Sequence, residues 1–224
     1  MHHESTPGFL VSALSALACL SWPSPSVSGE IAHLTLQSQP GSFIGGGQNW
    51  DITYTPQNSQ SFFAEINQTL PNGQPDYISF IMGTVTGGSD NTYATLDFST
   101  VQLGTPLQPG TYDNAQRAAF AEPGHPGLDV TFQNSGSNVL TGSFTINELS
   151  FYKDQNNNLE IGSFSVSFAQ SSDNNTSNIT GTFTFQAVPE PSSLVMLSLG
   201  TTVLAAGYGW SRLKRSAPRS PDGA

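Results

Sequence analysis

The sequence predicts an all-β body, a single antiparallel β-sandwich of jelly-roll type, set between two apolar ends. Three observations predict it. Apolar residues recur with a period of two, and almost nowhere with the period of a helix. The alternating runs are short, and Gly, Pro, Asn or Asp closes nearly every one. About ten of them follow one another without a fixed repeat, which argues for a sandwich rather than a propeller or solenoid.

In chain order the expected strands are Ile31–Gln37, Asp51–Thr55, Phe62–Ile66, Tyr77–Met82, Tyr93–Ser99, Leu128–Gln133, Leu140–Ile146, Leu149–Tyr152, Phe164–Phe168 and Gly181–Phe185. The alternation is clearest in Ser163-Phe164-Ser165-Val166-Ser167-Phe168 and in Thr182-Phe183-Thr184-Phe185. There, aromatic or β-branched residues point one way and hydroxyls the other. Gly45-Gly46-Gly47 is not a phosphate loop, since no Lys-Ser/Thr follows, and it reads as a connection before Trp50. Asp154, Asn156 and Asn158 place side-chain oxygens at alternate positions, as calcium loops do. The stretch lacks the central glycine and distal glutamate of such a loop. It falls between two alternating runs, where a polar hairpin turn is the simpler reading.

The front of the chain reads as a signal peptide over residues 1–29. Phe9 to Leu20 is apolar for 12 residues, too short to span a bilayer and suited to a signal core. Val27-Ser28-Gly29 supplies small residues for cleavage before Glu30. No Lys or Arg precedes the core, where a positive segment is usual. Cys19, the only cysteine, lies in this segment, so the body over residues 30–187 holds no disulfide.

At the other end, Val188-Pro189-Glu190-Pro191 leads into an uncharged apolar run, Leu194 to Trp210. Its 17 residues would rise about 26 Å as a helix, just short of the hydrocarbon core. Arg212, Lys214 and Arg215 close it, with Arg219 beyond. Clustered positive charge resists translocation, which predicts a transmembrane helix over 194–210 with the body outside the cell. Residues 217–224 would be a disordered cytoplasmic end. A buried C-terminal helix of a soluble protein is the alternative.

These three features in this order resemble the PEP-CTERM sorting tail of bacterial exported proteins, here over residues 188–216. In that family a membrane-embedded cysteine peptidase, an exosortase, recognises the Pro-Glu-Pro stretch and removes the helix. The resemblance therefore implies that Val188, Pro189, Glu190 and Pro191 are a substrate motif, with Arg212, Lys214 and Arg215 as stop-transfer charges. Exosortase, the export machinery and the membrane are the partners it implies.

Within the body, Leu103 to Asn147 carries a Pro-Gly-Thr-Tyr turn, an Arg-x-x-Phe, a Pro-Gly-Leu-Asp-Val strand and an Asn-x-Leu-Thr-Gly-x-Phe strand. This order is similar to a secreted bacterial β-sandwich module in which two cysteines bridge. Here Ser137 and Ser172 stand at the corresponding positions, so the bridge is absent, and the module supplies no catalytic residues to carry over.

The body sets only Arg117 and Lys153 against thirteen acidic residues, a formal charge of −11. Such a surface repels nucleic acid and excludes it as a partner. No Gly-x-Ser-x-Gly elbow is present, and His125 lies in a rigid Pro-Gly turn, so the chain is expected not to be an enzyme. No cofactor is expected. Arg117 is either a ligand contact or an internal partner of Glu122 or Asp129. Trp50 and Tyr93 are either core or sugar-stacking platforms. The expected function is an exported surface or extracellular-matrix protein with a structural, non-enzymatic body; the alternative is a carbohydrate-binding sandwich that attaches the cell to polysaccharide.

Overall fold

The computed structural model describes residues 30–87, 90–172 and 177–187. Ten strands account for most of them: β1 (Ile31–Ser38), β2 (Asn49–Tyr54), β3 (Ser61–Thr69), β4 (Pro75–Gly83), β5 (Ala94–Ser99), β6 (Gly110–Arg117), β7 (Gly127–Phe132), β8 (Leu140–Lys153), β9 (Leu159–Ser172) and β10 (Ser177–Gln186). The only helical turns among the described residues are short 3-10 segments such as Gly45–Gly47, Val101–Leu103 and Ala118–Phe120. The body is all-β, as the alternation predicts.

The sandwich expectation needs correction at the level of sheets. All ten strands form one hydrogen-bonded sheet, in the order β2-β1-β10-β9-β8-β6-β7-β5-β4-β3, which coils over on itself into a nearly closed barrel. Nor is it wholly antiparallel, because β6 runs parallel to β7 through Gln116↔Gly127 and Arg117↔Leu128. The bend has local causes. β6 carries a bulge between Tyr112 and Ala115, with Asn114 at φ 56°. The β8–β9 ladder shifts register between Ile146 and Glu148 and again between Ser150 and Phe151. Bulges raise the local twist and turn a strand, so one sheet can supply both walls.

Coiling brings the two walls into aromatic contact. Phe80 of β4 lies 4.7 Å from Phe183 and 5.2 Å from Phe164 between ring centroids, and Phe98 of β5 lies 5.3 Å from Phe144. All five rings are fully buried. Each such pair adds about 0.5–1.5 kcal/mol beyond simple burial. Gly181 of β10 sits where the walls leave no room for a side chain, since a Cβ there would meet the Thr35 carbonyl and the Phe168 ring.

The expected Leu140–Ile146 and Leu149–Tyr152 runs are one strand, β8, interrupted only by its bulge. The first and last strands of the body lie side by side, with Ile31 opposite Gln186 and Ser38 opposite Ile179. Both ends of the described chain therefore leave from the same end of the barrel.

The coiled sheet has two chemically different outer faces. On one wall Thr35, Thr182, Ser167, Thr145 and Thr111 stand in register across β1, β10, β9, β8 and β6. Their hydroxyls pair along the row, with Thr35 Oγ1 2.7 Å from Thr182 Oγ1 and Thr111 Oγ1 3.1 Å from Thr145 Oγ1. On the other wall the matching row is Glu65, Ser79, Asp97 and Asp129, across β3, β4, β5 and β7. Ser137 and Ser172, the positions of the missing bridge, are both buried.

Candidate functional site

The C-terminal junction is built by the barrel itself. β10 lies between β1 and β9 and so cannot fray from a free edge. Ala187, the next residue, is buried, and its N–H donates to the Gly162 carbonyl at 2.8 Å. The Gln186 side-chain amide donates to the Ala187 carbonyl at 3.1 Å. Both backbone groups of Ala187 are thus held, and whatever follows is attached to a fixed point. Val188, Pro189, Glu190, Pro191, Arg212, Lys214 and Arg215 lie outside the described residues, as do the signal segment and the 194–210 helix expected from the sequence.

Comparison with known proteins bears directly on this junction. The family model of the PEP-CTERM protein-sorting motif matches residues 187–215. The chain carries a PEP-CTERM sorting tail. It is marked by it as an exosortase-substrate protein, and the PEP-CTERM match supports export, C-terminal sorting and membrane anchoring during sorting. The PEP-CTERM segment begins one residue after β10, so the body ends where the tail starts. No curated protein and no solved structure matches the chain. Among the described residues no helix is long and apolar enough to cross a membrane.

Of the body residues singled out by sequence, Arg117 falls in the most structured polar group. Its Nε donates to Asp129 Oδ2 at 3.0 Å, and its guanidinium lies 5.1 Å over the Phe120 ring. Asp129 faces Asp97 directly across the β5–β7 ladder. Asn67 donates to Ser79 Oγ at 2.5 Å, and Ser79 in turn donates to Asp97 Oδ1. One cation therefore serves two opposed carboxylates, and Asp129 Oδ1 is buried with no hydrogen-bond partner. Burial pushes the Asp97 carboxyl up to about 6; the Ser79 hydrogen bond opposes the rise, Asp129 adds to it, and Arg117 opposes it. Burial also raises Asp129, and outweighs the bond and charge of Arg117. The same burial, with the charge of Asp97, lifts the Tyr77 phenol to about 12.

Trp50 and Tyr93 do not join this group. Trp50 faces inward, packs on Phe132 at 5.1 Å and donates its indole N–H to the Gly45 carbonyl at 2.9 Å. The glycine turn is thus an acceptor for the ring. Tyr93 precedes β5, and its carbonyl accepts from Gln133 N–H at 2.8 Å. Arg117 pairs beside Leu128, four residues and so roughly 14 Å along β7 from Phe132. Trp50 belongs to β2 and Arg117 to β6, while Tyr93 precedes β5, so the three do not form one surface.

Asp154 closes the β8–β9 hairpin. Its Oδ1 accepts from the backbone N–H of Asn156 and of Asn158, at 2.8 Å and 2.7 Å. The Asn158 side-chain amide donates to Oδ2 at 3.1 Å. Desolvation raises this carboxyl, but the bonds from Asn158 and Asn156 outweigh it and hold the pKa below the ordinary value. Its oxygens are thus turned onto N–H donors of its own turn. Among the described residues no group of three metal-ligating side chains converges.

Both body histidines have non-hydroxyl partners. His33 Nε2 lies 2.6 Å from Asp51 Oδ1, and His125 Nδ1 lies 2.8 Å from the Asn114 carbonyl. A depression of about 300 Å³ on the hydroxyl-rich wall, floored by Gly142 and Ala169, contains neither imidazole nor carboxylate. Sequence reasoning missed Asp97. The signal was an acid inside the apolar run Ala94–Phe98, but its place opposite Asp129 depends on register.

Proposed function

We propose that the chain is an exported protein whose body serves outside the cell as a structural, non-enzymatic component of the surface or matrix. Exosortase recognises Val188, Pro189, Glu190 and Pro191 and separates the body from a membrane-spanning 194–210 segment that Arg212, Lys214 and Arg215 hold on the cytoplasmic side. The observation that carries this reading is the sorting tail beginning one residue after a central strand. Cleavage there would remove no strand from the barrel. The non-enzymatic part is supported by the way the polar groups are spent: Arg117 on Asp129, Asp97 on Ser79, His33 on Asp51.

Intact mass of the protein recovered from its own cells, fraction by fraction, tests it. The expected species begins near Glu30 and ends between Val188 and Pro191, in the surface or matrix fraction. A full-length chain confined to the cytoplasm or inner membrane would overturn the reading.

The second reading, a body that binds polysaccharide, is favoured by Phe120, a ring 70% exposed under the Arg117 guanidinium. A polysaccharide pull-down that captures the body but not a Phe120→Ala variant would select it.

A further inference from the structure

Ile31 pairs with Gln186, Gln186 with Ser163, and Ser163 with Ser150. From that level β8 and β9 continue as a hairpin, toward the same end from which both termini leave. Ala187 hydrogen-bonds Gly162, and the hairpin runs on to Leu159 before turning through Asp154–Asn158. Those three further residues project about 10 Å beyond Ala187, and the turn adds more.

We propose that this end of the barrel faces the lipid bilayer in the tethered precursor, with the hairpin turn Gln155–Asn158 resting on the headgroups beside the segment to be cut. The inference rests on the 194–210 segment being the membrane anchor. Residues 188–193 reach at most about 21 Å when fully extended. The headgroup layer takes up about 6 Å of that on one side of the bilayer. About 15 Å is left between Ala187 and the outer surface of the headgroups, and the hairpin with its turn fills it. Any shorter path for the linker presses the turn closer.

The chemistry of the turn suits a headgroup surface. Asp154 is covered by N–H donors from Asn156 and Asn158, and Lys153 donates to Asn157 Oδ1 at 3.0 Å. The turn itself therefore presents amides around Lys153 and Asp154, with Glu160 and Glu30 set back toward the barrel. Its amides take no large desolvation cost on contact with a polar, hydrated layer. Before signal cleavage, the segment ahead of Ile31 would tether the adjacent strand at the same end, which favours an upright body.

The test uses the full-length chain in vesicles of phosphatidylethanolamine and phosphatidylglycerol, with Cys19→Ser and one new cysteine carrying a fluorophore. Gln155→Cys marks the hairpin turn, and Val139→Cys, next to the opposite end of β8, marks the far pole. Headgroup-located quenchers are expected to quench the Gln155 label several-fold more than the Val139 label. A flexible insertion after Val188 is expected to relax that quenching. Equal quenching at both sites, or stronger quenching at Val139, would overturn the inference. Flotation with the vesicles separates the two readings: a chain that does not float refutes the anchor, whereas one that floats without quenching at Gln155 refutes only this orientation.

Discussion

The side-chain amide of Gln170 stands in for a missing strand beside Val130. Its Oε1 accepts from Val130 N–H at 2.8 Å, and its Nε2 donates to the Val130 carbonyl at 3.1 Å. β6 accompanies β7 only as far as Leu128, so the next residues of β7 lose their neighbour. Gln170, 2% exposed, completes the ladder there from β9. Gln170→Leu would leave two backbone groups buried without partners and is expected to destabilise the body by roughly 2–5 kcal/mol. Gln170→Glu keeps the acceptor, forfeits the donor and brings a buried charge. Urea midpoints for the two variants check this, and a Leu variant as stable as the parent would remove the role assigned to Gln170.

Asp97 makes the body gain stability as the solution is acidified. Its folded-state pKa, about 6, lies above the unfolded carboxylate value. The stabilising contribution is therefore complete below about pH 4 and is lost as pH rises through 6, and the raised Asp129 acts in the same direction. The total is up to about 3 kcal/mol for Asp97. Asp97→Asn is expected to be more stable than the parent at pH 7 and to have a flatter profile, since its amide oxygen still accepts from Ser79. Thermal melts at a series of pH values decide it; a parent that melts lower at pH 5 than at pH 7 would contradict the assignment.

Removing Arg117 leaves Asp129 facing Asp97 with no counter-charge. For this partly buried pair, Arg117→Met is expected to cost about 1–3 kcal/mol at pH 7. Adding Asp129→Asn should recover much of the loss. The double-mutant cycle measures the coupling, and additive effects would show that the ion pair contributes nothing.

Phe80 and Phe63 provide a paired test of the core. Phe80→Ala removes a fully buried ring that meets Phe164, Phe183 and Phe185, and should cost about 3–5 kcal/mol. Phe63, 53% exposed on the outer side of β3, should change stability by less than about 1 kcal/mol on truncation. Chemical denaturation that ranks the two alike would mean that β4 does not pack against β9 and β10.

Substituting the motif tests sorting apart from folding. Pro189→Ala with Glu190→Ala is expected to leave a chain whose mass still includes residues 194–224, retained with the membrane, while the thermal midpoint of the body is unchanged. Normal processing of that variant would dissociate those residues from recognition.

Much of the barrel was legible because burial on one face writes itself into alternation. Ser163 to Phe168 reads directly as β9, and Thr182 to Phe185 as β10. β6 was hidden because the bulge at Asn114 breaks its alternation, leaving Tyr112 and Ala115 inward with two residues between them. Sheet closure was hidden for a different reason: whether two walls are one sheet depends on long-range pairing, which leaves no mark in a local pattern. Trp50 was decidable, since Trp50, Ile52 and Tyr54 alternate together and Tyr54 is core. The opposition of Asp97 and Asp129 was not, because a one-residue slip in register would have separated them.

The pairing of β1 with β10 also sets the timing of folding. The two strands are joined by nearly the whole body, so the contact that closes the wall has the longest loop to close and belongs among the slow events. In a chain exported N-terminus first, the first strand would reach the far side and wait, one edge bare, until residue 186 had emerged. A product truncated before Ser177 lacks the strand that joins β1 to β9 and opens two further edges, on β1 and β9, a form suited to proteolysis or aggregation. Synthesis of the last strand and synthesis of the sorting tail are adjacent events. The barrel is therefore complete only in molecules about to become eligible for sorting.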